Sequence, residues 1–282
     1  MSRNETPELN ATAAEAGAPT PSPDAAVDAT APAPLLAIET ATPTTRVALV
    51  DARTGTLLAA ASASVAPSER HSSHLLRLCV EVMEARGVVV PGLAAIACDA
   101  GPGSFTGLRV GLAVAKGLAL PTAIPLITVS SLEILARDWL AAAGAPGAPP
   151  GDPRPLRLVP CLDAGKGQLF AAVFSVDAGR SDAAEVAGTV SVAPGALAGA
   201  LGLDVGGDPV VLFGPGADRF AGELRAALGP DVALASVVGP TAESLARRAC
   251  TRLADGGRDD LATVVPSYGR DPDITRPKPR VG

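Results

Sequence analysis

The residues best placed to do chemistry run from Asp99 to Gly111: Asp99-Ala100-Gly101-Pro102-Gly103-Ser104-Phe105-Thr106-Gly107-Leu108-Arg109-Val110-Gly111. Gly101 and Gly103 can take positive φ, Pro102 fixes its own φ, and Ser104 or Thr106 can cap a helix. A turn of this composition feeding a helix gathers backbone N–H groups at the positive end of the helix dipole, which favours an anion. A phosphate loop is therefore the first chemistry to consider, and the residues do not fit it. Such a loop needs a lysine and a hydroxyl after its last glycine, one for the terminal phosphates and one for Mg²⁺. Here Leu108 and Arg109 follow Gly107. The dinucleotide fingerprint is missed in its glycine order and in its downstream acid. Lys116 lies about two and a half helical turns further on, out of reach of the loop.

Other candidates are sparser. Asp163 precedes Gly165-Lys166-Gly167, so a carboxylate and an amine could face a phosphate, or the stretch could be a plain tight turn. His71 and His74 are the only histidines, and their spacing puts them near one face of a helix. A metal pair needs a third ligand that the sequence does not place, so they read as solvent-facing residues at a helix start. Ser104 is not a nucleophile elbow, because Phe105 and Thr106 separate it from Gly107. Cys79, Cys98, Cys161 and Cys250 form no CxxC pair and read as buried free thiols in a reducing compartment.

The elements that would hold these residues follow from periodicity and turn signals. Residues 1–34 are rich in Ala, Pro, Thr and Asp without periodicity and read as a disordered extension. Strands are expected at 35–39, 46–51 and 56–63, and a helix at 71–86 ends at Gly87. Leu75, Leu76, Cys79, Val82 and Met83 form its apolar stripe. A strand at 93–98, the glycine turn with its helix to Ala119, a strand at 125–129 and a helix capped by Ser130 come next. The Gly/Pro/Ala stretch 143–155 reads as a linker. Beyond it the order recurs: strands at 156–163, 168–176 and 185–192, a short helix at 196–201, a strand at 209–213 and a helix at 217–228. The doubled β-β-β-α-β-α order predicts two similar α/β domains, 35–133 and 134–240. A last helix, 241–256, joins the first of them, and 266–282 is a tail laid over the surface.

Composition narrows the function classes. The chain of 282 residues is 48% hydrophobic but only 2% aromatic, so its core must be built from small aliphatic side chains with closely spaced helices. A net charge of −6 argues against direct gripping of a nucleic-acid backbone. No apolar run approaches the roughly 18 to 20 residues of a membrane span, and no secretory signal opens the chain, so a cytoplasmic protein is expected. The helix after Phe105 carries small residues at every fourth position, Gly107, Gly111, Ala115 and Ala119, flanked by Leu108 and Leu112. Glycine inside a soluble helix costs about 1 kcal/mol relative to alanine. Close packing against another backbone would offset that, either the chain's own sheet or a helix of another subunit.

At this point the sequence resembles a known family. Leu36-Ala-Ile-Glu-Thr40, Arg70-His-Ser-Ser-His-Leu-Leu76, Gly101 to Gly111, Ala115-Lys-Gly-Leu-Ala-Leu120, Val129-Ser-Ser-Leu-Glu133 and Leu162-Asp-Ala-Gly-Lys-Gly-Gln168 stand in the order found in the TsaB (YeaZ) family. These are bacterial tRNA threonylcarbamoyladenosine biosynthesis proteins. The resemblance is strong over residues 35–176. It implies an actin-like (ASKHA) fold of two ribonuclease-H-like domains and a subunit that is not itself the transferase. It also implies docking to the transferase TsaD through a bundle of the first two helices, with the ATPase TsaE joining the assembly. The interface expected here is Leu75, Leu76, Cys79, Met83, Gly107, Leu108, Arg109, Gly111, Leu112 and Ala115.

Several residues depart from the family pattern. Glu39 stands where Asp is usual, Asp163-Ala-Gly-Lys166 replaces Asp-Ala-Arg, and Tyr268-Gly269-Arg270 stands where Tyr-Leu-Arg is common. Each departure points away from self-sufficient catalysis. Glu39, Thr40, Asp163 and Lys166 are the residues that would lie near a nucleotide. The chain is expected to hold no cofactor or metal alone, with ATP or ADP at the junction with TsaD. Unpartnered copies are expected to pair through the same helices, and tRNA to be met only through the complex. The alternative is a stand-alone ATPase or peptidase of the same fold.

Overall fold

A computed structural model describes residues 33–64, 71–142, 154–177, 182–204, 206–237 and 239–270. Most of the expected extension and linker, and the tail from 271 onward, lie outside the described residues.

The first half supplies β1 (Pro34–Glu39), β2 (Thr44–Asp51), β3 (Leu57–Ser64), α1 (His71–Glu84), β4 (Ala95–Gly101), α2 (Phe105–Ala119), β5 (Leu126–Ser130) and α3 (Ser131–Ala142). The second half supplies β6 (Leu156–Gly165), β7 (Gln168–Val176), β8 (Ala184–Val192), α4 (Leu197–Leu201), β9 (Val210–Phe213), α5 (Pro215–Arg219), α6 (Ala221–Leu228) and β10 (Ala233–Ala235). α7 (Ala242–Ala254) closes the described fold.

The first sheet has the order β3-β2-β1-β4-β5 and the second, read from its own third strand, β8-β7-β6-β9-β10. In each, the first three strands form an antiparallel meander, and the next two add in parallel beside the first strand. The same ribonuclease-H-like lobe therefore occurs twice, and together the lobes make the two-domain actin-like fold.

Period-two alternation sorts the side chains of β1 to opposite faces although the strand is wholly buried. Leu36 and Ile38 join the layer under α1 and α2, and Leu35 and Ala37 the layer under α7. In the second sheet, Val159, Cys161 and Leu169 pack on α4, α5 and α6, and Leu158, Phe170 and Phe174 on α3. α3 serves both lobes: Ile134 packs into the first, Leu132 and Leu135 into the second. Glu133 pairs with Arg137 at 3.0 Å and with Arg248 of α7 at 2.6 Å. Thr241 caps α7 through Ser244 N–H, and its own N–H and hydroxyl donate to Asp138 of α3 at 2.8 and 2.5 Å.

Two elements differ from expectation. The helix read over 217–228 begins at Pro215 and breaks at Phe220, whose φ of −106° and ψ of 21° leave the helical region. β10 is three residues long, too short for a period-two pattern to register. Among the described residues, no helix is long and apolar enough to cross a membrane.

Candidate docking helices and the crevice beside them

The glycine turn is shaped by what it packs against. β4 ends at Gly101, and Ser104 caps α2 by accepting from Gly107 N–H at 3.2 Å. Ser104 N–H is itself spent on Ala41 O at 2.7 Å. A Cβ on Gly103 would fall 2.5 Å from Ala41 O. The turn after β1 thus packs directly against the glycine turn and takes up the Ser104 amide.

Thr40 and Asp99 lock this arrangement. Thr40 N–H and hydroxyl both donate to Asp99 Oδ1, at 3.0 and 3.1 Å. Glu39 accepts from Ala41 N–H at 2.8 Å and from Arg46 Nη1 at 3.0 Å. Both acids are buried, and among the described residues no hydrogen bond reaches Asp99 Oδ2. Burial, moderated by the Thr40 bonds, pushes Asp99 up to about 7. Burial first, and the nearby Asp99 charge second, hold Glu39 well above the usual carboxylate range despite Arg46. These two carboxyls are structural, set beneath α2 rather than in an open site.

The small-residue face of α2 is turned the same way. A Cβ on Gly107 would lie 2.2 Å from Thr40 O, and one on Gly111 would lie 2.4 Å from Thr40 Oγ1. Leu108, Leu112, Ala115 and Ala119 are buried beside them. On α1, Leu75, Cys79 and Met83 are likewise core. This corrects the expected interface: Leu75, Cys79, Met83, Gly107, Leu108, Gly111, Leu112 and Ala115 are covered by this chain's own first sheet. The close approach that the glycines permit is to the end of β1.

What α1 and α2 leave exposed is a different set. Leu76 and Val80, four apart on α1, are 48% and 46% exposed, and Leu120 just beyond α2 is 72% exposed. Ala113 and Gly117 are exposed on α2, and a Cβ on Gly117 would meet nothing within 4 Å. Of the expected interface residues, only Leu76 and Arg109 remain at the surface. The signal for Ala113 and Gly117 was present in the sequence, since α2 carries small residues on two faces; only packing shows which face is spent.

The other expected residues separate. Asp163 and Lys166 sit in the β6–β7 hairpin of the second lobe, with Lys166 at φ 53°. Asp163 accepts from Gly165 N–H at 2.8 Å and pairs with Arg219, so it serves a tight turn and an ion pair. A cavity of about 210 Å³ lies between this hairpin and the start of α2, walled by Ser104, Phe105, Asp163, Phe170, Tyr268 and Arg270 among others. Glu39 and Thr40 are buried below it in the first sheet. His74 is half-buried, and among the described residues no group of three His, Cys, Asp or Glu could hold a metal. All four cysteines are free and buried, and burial raises each thiol, Cys79 to about 12.

The chain is similar to known proteins. A family model described as TsaD, tRNA N6-adenosine threonylcarbamoyltransferase, matches residues 64–201, a stretch that contains α1 and α2. The tRNA threonylcarbamoyladenosine biosynthesis protein TsaB of Escherichia coli is 31% identical over 107 residues, 38% of this chain and 42% of that protein. Its Bacillus subtilis namesake is 35% identical over 82 residues, 29% of this chain and 31% of that protein. The matched part therefore spans less than half the length of either relative. A solved structure titled YeaZ from Pseudomonas aeruginosa superposes with a TM-score of 0.66 at 24% identity, over 84% of this chain and 99% of that one. This chain is similar in sequence to TsaB proteins over part of its length. The likeness to the YeaZ structure extends through both lobes at the level of fold, while the sequence matches cover a smaller part. The exposed residues of α1 and α2 are the surface that needs a role.

Proposed function

We propose that this chain is a non-catalytic subunit in tRNA threonylcarbamoyladenosine biosynthesis that docks the transferase TsaD through the exposed face of α1 and α2. The observation that carries this reading is the apolar and small-residue surface of Leu76, Val80, Ala113, Gly117 and Leu120 on two long helices. Such a face is what a helix bundle with another chain requires. The names of the relatives and the TsaD-family match over residues 64–201 support the same assignment. In this reading TsaE joins the assembly, ATP or ADP binds at the junction with TsaD, and unpartnered copies pair through the same face. The acidic net charge of −6 fits a subunit that meets tRNA only through the complex.

The test is calorimetric titration of TsaD with Val80→Glu and with Gly117→Leu. Each variant should bind at least about tenfold more weakly, as expected when a charge or an oversized side chain enters a packed interface, while its unfolding temperature stays near wild type. Unchanged affinity in both variants would overturn the reading.

A further inference from the structure

We propose that residues 266–270 form a latch that ties the two lobes together across the crevice and catches the first turns of α2. Ser267 N–H donates to Ala100 O, at the end of β4 in the first lobe, at 2.7 Å. The strap passes so close that a Cβ on Gly101 would fall 2.3 Å from Ser267 O. Three residues later, Arg270 Nη1 donates to Ala164 O, in β6 of the second lobe, at 3.1 Å. The strap therefore holds one backbone carbonyl from each sheet within a span of four residues.

Between those anchors lies the catch. Tyr268, the only tyrosine of the chain, accepts from Arg109 Nε at 2.8 Å. Its ring packs on Phe105 with centroids 4.9 Å apart, and the Arg109 guanidinium stands 3.8 Å over the Phe105 ring. Phe105 and Arg109 lie in the first two turns of α2, so the strap reports directly to that helix.

Gly269 is the pinch point. Its φ is +64°, and a Cβ there would sit 2.9 Å from the Phe170 ring of the second lobe and 3.0 Å from Pro102 of the first. Any side chain there would have to push these walls apart as well as adopt a left-handed backbone, which is where glycine is favoured. Tyr268 and Arg270 also wall the 210 Å³ cavity. Tyr268 is thus a positioning residue for Arg109 and Phe105. The latch does not depend on what docks against α2.

Amide hydrogen exchange on the full chain tests this, read at Ser267 and over 163–168. Tyr268→Ala and Arg270→Ala should each raise exchange roughly tenfold at both places, equivalent to about 1.4 kcal/mol of lost protection, with β1 and β6 unchanged. Tyr268→Phe keeps the ring stack and loses only the Arg109 bond, and should give a smaller rise. Gly269→Leu should match or exceed Tyr268→Ala; if it fails to fold, Arg270→Ala decides alone, because it removes only the second-lobe anchor and alters no atom of Ser267 or Tyr268. Faster exchange at Ser267 with 163–168 unchanged would mean a loose end lying on one lobe, and would overturn the latch. No change at either place would overturn it as well.

Discussion

Replacing Gly107 by alanine adds one methyl group where the structure leaves no room. The new Cβ would stand 2.2 Å from Thr40 O, inside the 3.0 Å that such contacts essentially never breach. Thr40 cannot withdraw cheaply, because its N–H and hydroxyl are both held by buried Asp99 at 3.0 and 3.1 Å. Shifting α2 instead would open the 2.7 Å bond from Ser104 N–H to Ala41 O. Overpacking costs about 1–3 kcal/mol, and a broken buried hydrogen bond about 1–3 kcal/mol. Alanine's helix propensity returns about 1 kcal/mol. The net is a loss near 3 kcal/mol, which for a chain of this size lowers the unfolding temperature by about 6–12 °C. Gly117→Ala is the control in the same helix. Its Cβ meets nothing within 4 Å, so propensity acts alone and the melting temperature should rise by about 2–4 °C. Calorimetric or circular-dichroism melting of the two variants should therefore give opposite signs. A Gly107→Ala protein that melts at or above wild type would refute the seating of α2 on Thr40.

Two further outcomes follow from the buried polar groups. Asp99 is raised to about 7, whereas an aspartate of the unfolded chain titrates near about 3.9, so the folded state holds its proton longer. Stability should then fall as pH rises from about 4 to about 7 and level off above, with a slope of at most about 1.4 kcal/mol per pH unit from this group. Glu39, raised in the same direction, adds to that fall. Asp99→Asn should flatten the profile in urea melts from about pH 5 to 8, and a slope equal to wild type would refute this assignment. Thr241→Ala removes both the α7 cap and the hydroxyl that donates to Asp138, so it should cost about 1–2 kcal/mol in the same assay. A loss under about 0.3 kcal/mol would show that water replaces these bonds.

The repeated β-β-β-α-β-α element order was legible from the chain alone, because each meander has turn signals and apolar runs, whereas the short β10 was not. The α2 cap was legible as Ser104 or Thr106, and the structure places it at Ser104. The direction of the α2 stripe was not. Gly107, Gly111, Ala115 and Ala119 announce a close approach, but the atoms that approach Gly107 and Gly111 belong to Thr40, 67 and 71 positions earlier in the sequence. Local spacing shows that a helix face must be tight without naming its neighbour. The role of Tyr268 was hidden in the same way, since its partners Phe105 and Arg109 lie more than 150 residues earlier. The break at Phe220 was hidden because Ala221 to Leu228 continues the helical composition that precedes it.

The two lobes repeat one topology, so the places where they differ carry information about use. In the first lobe the helices after the third and fourth strands are α1, of 14 residues, and α2, of 15. In the second lobe the same places hold α4, of 5 residues, and the pair α5 and α6, broken at Phe220. Covering a five-stranded sheet evidently does not require helices of the first kind, because the second lobe buries its Leu212, Phe213 and Val173 without them. The extra length of α1 and α2 instead carries Leu76, Val80, Ala113 and Gly117 outward, beyond what the sheet beneath can bury. The partner proposed above would cover this surface of the first lobe. Arg109 and Phe105 then place the latch at the edge of that surface, so a partner seated on α2 would meet a helix whose first turns are already held against the second lobe.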